Sequence, residues 1–147
     1  MEEVKKKEKT ENEIKKEYLL GFQKISRQLA RLENELAEIR LNKYCPSCIS
    51  DGMPRASGCS DLSSYMAKVD ELEKKILKKR YNRLQKQQEI RNRIERMEDE
   101  NEKDVLTYRY LGGMKWEDIA VKMGYTWQHI HRIHSSALKN FNVTKCD

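Results

Sequence analysis

Leu111-Gly-Gly-Met-Lys-Trp-Glu-Asp-Ile-Ala-Val-Lys-Met-Gly-Tyr-Thr-Trp-Gln-His-Ile-His-Arg-Ile-His-Ser-Ser-Ala-Leu-Lys-Asn140 is the stretch on which the reading of the chain turns. Gly112-Gly113 ends whatever helix precedes it, because paired glycines forfeit backbone entropy and permit turns that side chains forbid. Trp116, Ile119, Ala120 and Met123 then recur at helical spacing as the inner face of a short helix. Gly124 suits a left-handed terminal position, Tyr125 packs in the turn, and Thr126 caps the next helix. In that helix Ile130, Ile133, Ala137, Leu138 and Phe141 point inward. Trp127, Gln128, His129, His131, Arg132, His134, Ser135 and Lys139 are left outside. Two short helices about a tight turn, the second polar and cation-bearing, make a helix-turn-helix and point to double-stranded DNA. Arg can grip guanine through two hydrogen bonds, Gln can do the same to adenine, and His or Ser can reach bases or phosphates. Packing against another protein is the competing use of such a surface.

Upstream, Tyr18, Phe22, Ile25, Leu29, Leu32, Leu36 and Ile39 alternate at spacings of four and three. That rhythm keeps a narrow apolar seam on one side of a helix, as in a coiled coil. Residues 44–60 gather both prolines, two glycines and several serines, and read as a loop. Ser60 or Asp61 can cap a second helix, whose apolar positions run Leu62, Tyr65, Val69, Leu72, Ile76, then drift through Leu77, Tyr81 and Leu84 to Ile90, Ile94 and Met97. The drift predicts a stutter in a helix that continues to Tyr110, making it longer than the first. An antiparallel hairpin lets each stripe cover the other. The expected fold is therefore all-α: a frayed charged lead-in over 1–10, a long coiled-coil hairpin over 11–93, a helix-turn-helix over 94–141 and a tail over 142–147. The helix of about 94–111 doubles as the first helix of the helix-turn-helix.

The terminal segment resembles the fourth region of bacterial sigma factors, the part that reads the promoter −35 element. The resemblance lies in Tyr108-Arg-Tyr-Leu, Lys115-Trp-Glu-Asp-Ile-Ala, Met123-Gly-Tyr-Thr126, Ile130, Arg132-Ile133 and Ala137-Leu-Lys139, and covers about 98–141. The wider chain, with Asp51-Gly-Met-Pro-Arg55 and Ser60-Asp-Leu62, is similar to small proteins of Gram-positive phages and prophages that resemble late-operon transcription regulators of the ArpU and RinA type. The sigma resemblance implies that Trp127, Gln128, His131 and Arg132 face base edges while Lys115, Ser135 and Lys139 hold phosphates. The wider resemblance implies a phage or prophage regulator in the cytoplasm of a bacterial host, with RNA polymerase as a further partner. Bulky Trp127 and the scarcity of Arg on the reading face depart from the sigma pattern. Nothing resembles the upstream sigma regions that melt promoters.

Composition agrees with an anionic partner. The net charge is +6 and the pI about 9.1, with 37% charged residues and a mean hydropathy of −0.95. Lys74 to Arg93 holds nine cations against Glu89, whereas Glu95 to Asp104 holds six acids, a pattern that also suits solvated helix faces with mixed ion pairs. No apolar run reaches the length of a membrane span, and residues 1–9 lack the apolar centre of a signal peptide. Cys45, Cys48 and Cys59 bring a C-x-x-C spacing to the loop, but a structural zinc wants four ligands and Cys146 lies at the far terminus. His129, His131 and His134 do not share one helical face, so no metal or other cofactor is expected. With no nucleophile elbow or phosphate loop, an enzyme is not expected either. Two other classes fit a helical hairpin with such an end: a small-terminase-like packaging or structural protein, and a plain coiled-coil adaptor. The seam can close within one chain or between two copies as a homodimer.

Overall fold

The computed structural model describes residues 10–44 and 62–143, nearly all of them helical, and there is no strand among them. Two long helices, α1 (Glu11–Tyr44) and α2 (Leu62–Glu95), precede three short ones, α3 (Glu100–Leu106), α4 (Trp116–Met123) and α5 (Trp127–Asn140). A π-helical turn, Thr107–Leu111, extends α3. At the start of α1 the Glu13 carboxylate accepts the Thr10 N–H at 2.9 Å, half of a capping box. Glu11 and Glu13 also place negative charge where the helix dipole favours it. Cys45, Cys48, Cys59 and Cys146, with most of the loop, lie outside the described residues, as do residues 1–9 of the lead-in.

The described residues of α1 and α2 divide between two compact units, one comprising 25–44 and 62–83, the other 10–24 and 84–143. In the first, Leu29, Leu36, Leu72 and Ile76 are buried together, with Leu32, Ile39 and Val69 packed against them. Cross-helix partners fix the direction: Gln28 meets Lys79, Glu33 meets Arg80 and Arg40 meets Glu73, so one helix ascends as the other descends. The seam of this unit closes within one chain.

The drift through Leu77, Tyr81 and Leu84 does not occur, since all three are more than half exposed. Instead the spacing of four and three runs on from Leu72 and Ile76 through Lys79, Arg83 and Lys86 to Ile90, and these three cations are half-buried, as is Gln87. Long basic side chains can cover part of their aliphatic stems in this way, and Arg83 Nε is itself enclosed. Lys79 donates to Gln28 Oε1 at 2.8 Å.

A second expectation is also corrected. The helix does not continue to Tyr110, and α1 and α2 are both 34 residues long. Helix α2 stops at Glu95, and Asp99 starts α3 afresh by accepting from the N–H groups of Asn101 at 2.8 Å and Glu102 at 3.1 Å. Met97, inside the break, is buried in the same cluster as Ile94 and Ile90, so apolar spacing passes over the interruption.

In the second unit the core has two parts. Val105, Ile119, Ala120 and Ile130 join α3, α4 and α5, with Trp116, Met123 and Ile133 alongside. Leu106, Tyr110, Ala137, Leu138 and Phe141 meet Leu19 and Phe22 of α1 and Ile90, Ile94 and Met97 from α2 and its end. Helix α5 is therefore wedged between α4 on one side and the ends of the long helices on the other.

Candidate nucleic-acid interface

The turn that sets α4 against α5 is built as its sequence suggests. Gly124 ends α4 at φ +69°, in the left-handed region, and its N–H and that of Tyr125 return to the last carbonyls of α4. Thr126 Oγ1 then accepts the His129 N–H at 3.3 Å and starts α5. Ahead of α4, Gly112 donates to Thr107 O at 2.9 Å to close the π turn. A Cβ on Gly112 would lie 2.8 Å from Tyr108 O, so only glycine fits.

The outer side of α5 carries Trp127, Gln128 and Arg132, all exposed, with Ser135 and Lys139 following along the same stripe as Gln128 and Arg132. Lys115 is exposed at the N-terminus of α4. Ser135 turns its hydroxyl onto His131 O at 2.9 Å, which holds the oxygen close to the helix. Of the seven candidate contact residues, six are thus open to solvent. His131 is only half-exposed. Its ring lies 4.0 Å from that of Trp127 and 4.6 Å from that of Trp116, and its Nε2 is enclosed.

His134, expected outside, is buried and is a correction to the sequence reading. It turns inward because Trp116 packs edge-on against it at 4.8 Å and Tyr110 Oη sits 2.9 Å from its Nε2. Burial, then the charges of Lys16, His131 and Arg109, lower its pKa to about 4, so the ring is neutral at pH 7. Burial likewise pushes the Tyr110 phenol up to about 12, against the charge of Arg109, and keeps its proton in place. The pair is a neutral hydrogen bond that ties the π turn to α5.

Other residues that position α5 carried almost no signal in the sequence. Glu102 is buried on α3, and its carboxylate accepts from Ser136 Oγ at 2.5 Å and from Asn140 Nδ2 at 3.0 Å to each oxygen. Lys15, also buried, donates to Lys139 O at 3.2 Å, placing positive charge at the end of α5 where the helix dipole is negative. Gln23 donates to Arg109 O at 2.8 Å and to Tyr110 O at 3.2 Å, within the π turn. Arg109 in turn donates to Met114 O at 2.9 Å and covers the Trp116 ring at 4.6 Å. Polar residues at i and i+4 beside an inward stripe, such as Ser136 and Asn140, were the only hint available.

A rigidly seated helix with an open polar face, led in by a capped turn, defines a helix-turn-helix of the kind that enters a DNA groove. Residues 99–140, which take in α3, the π turn, α4 and α5, match the family described as Sigma-70, region 4. The chain is thus similar to a DNA-binding, regulator-like module over this segment. No curated protein and no solved structure matches it. Among the described residues no group of three or more His, Cys, Asp or Glu is placed to hold a metal ion. None of the described helices is long and apolar enough to cross a membrane.

Proposed function

We propose that the protein is a phage or prophage transcription regulator that works in the cytoplasm of a bacterial host. Helix α5 enters the major groove, Gln128 and Arg132 read base edges with Trp127 and His131 beside them, and Lys115, Ser135 and Lys139 hold the flanking phosphates. The observation that carries this reading is the coincidence of the sigma region 4 match with a complete α3–α4–α5 unit whose reading face is open.

The basic block of α2 takes a lesser part. Lys74 pairs with Asp70 at 2.7 Å, Lys75 with Glu71 at 2.6 Å, Arg80 with Glu33 at 2.6 Å, and Lys86 with Glu89 at 3.3 Å. Charges already neutralised by neighbouring carboxylates release fewer counterions from a phosphate backbone. RNA polymerase contact belongs to the same proposal, and so does homodimerisation, through a surface other than the seam that closes within one chain.

Selection of bound fragments from a phage or prophage genome tests it. One or a few promoter-proximal fragments should be enriched, and the protein should bind them as a monomer or dimer in sedimentation. Enrichment of no fragment over bulk DNA would remove the regulator reading. Assembly into a large ring on a packaging-site fragment would replace it with a small-terminase-like role.

A further inference from the structure

We propose that Trp127 is a specificity-determining residue that packs its indole on the C5-methyl group of a thymine, so that the operator carries a T at the base pair facing the start of α5. The proposal rests on the DNA-binding reading of α5 and names one base that it recognises. Trp127 is the first residue of α5, and the N-terminal residues of a recognition helix are those that meet base edges. Its side chain is 52% exposed, one turn before His131 and beside the stripe of Gln128, Arg132, Ser135 and Lys139.

The indole is also held in place. The His131 ring lies 4.0 Å from it, Trp116 backs His131 at 4.6 Å, and the Arg109 guanidinium covers Trp116 at 4.6 Å. A column of tilted ring contacts of this kind orders the outermost ring before any partner arrives, which lowers the entropic cost of contact. In the major groove each base edge shows hydrogen-bond donors or acceptors, and the thymine methyl is the apolar group on offer. An apolar ring presented among polar readers therefore has one suitable target. Gln128 and Arg132 supply the hydrogen bonds at neighbouring positions, and the enclosed Nε2 of His131 assigns that ring to support.

The test uses the full chain and a duplex recovered by the genomic selection, with each thymine replaced in turn by deoxyuridine, which removes only the methyl group. Wild-type protein should lose about fourfold in affinity at one thymine, the amount expected for one buried methyl group. Trp127→Ala and Trp127→Gln should bind the thymine and uracil forms of that position equally. Trp127→Phe, which keeps an aromatic face, should still discriminate. Indifference of the wild type to every replacement, or unchanged discrimination by both Ala and Gln variants, would overturn the proposal while leaving DNA binding intact. Failure to bind any duplex would overturn the DNA reading beneath it.

Discussion

The unit made from 10–24 and 84–143 and the unit made from 25–44 and 62–83 are held together in different ways. The largest fully buried side chains, Phe141, Leu19, Ile90, Ile94, Leu106, Ile119, Ile130 and Val105, all belong to the former. The latter has a single strip in which Leu29, Leu36, Leu72 and Ile76 are buried, flanked by exposed ion pairs such as Arg80 with Glu33. Five elements converge in one unit, whereas two helices share one face in the other. A strip of this kind buries less apolar area per residue, and exposed ion pairs add only about 0–1 kcal/mol each. The difference teaches that the fold concentrates its burial around α5, where a groove reader needs fixed geometry, and leaves the unit of 25–44 and 62–83 closer to local opening.

The sharpest way to break this comparison is Phe141→Ala. Phe141 is fully buried between α5 and the residues of α1 and α2 in its unit, and the change should cost about 3–5 kcal/mol. Hydrogen exchange should accelerate throughout α3, α4 and α5, and DNA binding should fall with it. Leu72→Ala should cost about 2–3 kcal/mol and raise exchange within 25–44 and 62–83 alone, with binding by α5 retained. Equal acceleration in both units by either substitution would show that they open as one.

Glu102→Ala comes next, at about 1–2 kcal/mol, because Ser136 and Asn140 lose their shared acceptor but can turn to water. Thermal melting measures the loss, and Glu102→Gln should recover part of it. A further effect is pH-dependent. The folded pKa of His134, about 4, lies below its ordinary value of 6.5, so the unfolded chain binds the proton more readily between those values. Its contribution to stability is complete above pH 6.5 and is lost as pH falls toward 4. Between pH 7 and 5 the melting temperature of the wild type should therefore drop more than that of His134→Gln, and parallel curves would contradict the assigned burial.

Much of the helix-turn-helix was legible in the sequence because its determinants are local. Gly124, Thr126 and the inward positions Ile119, Ala120, Ile130 and Ala137 follow from capping chemistry and helical spacing. The seam of 25–44 was equally plain. What could not be read came from two sources. Apolar spacing counts Met97 as helix although the chain breaks around it, and it counts Lys79, Arg83 and Lys86 as surface although they are half-buried. The other source is distance along the chain: Lys15, Gln23 and Glu102 act on α5 or the π turn through contacts that no local pattern announces. His134 belongs with these, since its burial depends on Tyr110 and Trp116 arriving from other elements.

The claim that α5 is the reading element is tested most directly by fluorescence anisotropy on the selected duplex and on a scrambled one, over a series of salt concentrations. Arg132→Ala should lose about 1–3 kcal/mol on the selected duplex and little on the scrambled one. Lys139→Ala should weaken both alike and reduce the salt slope by about one. Wild-type affinity and salt dependence for both variants on both duplexes would contradict the account.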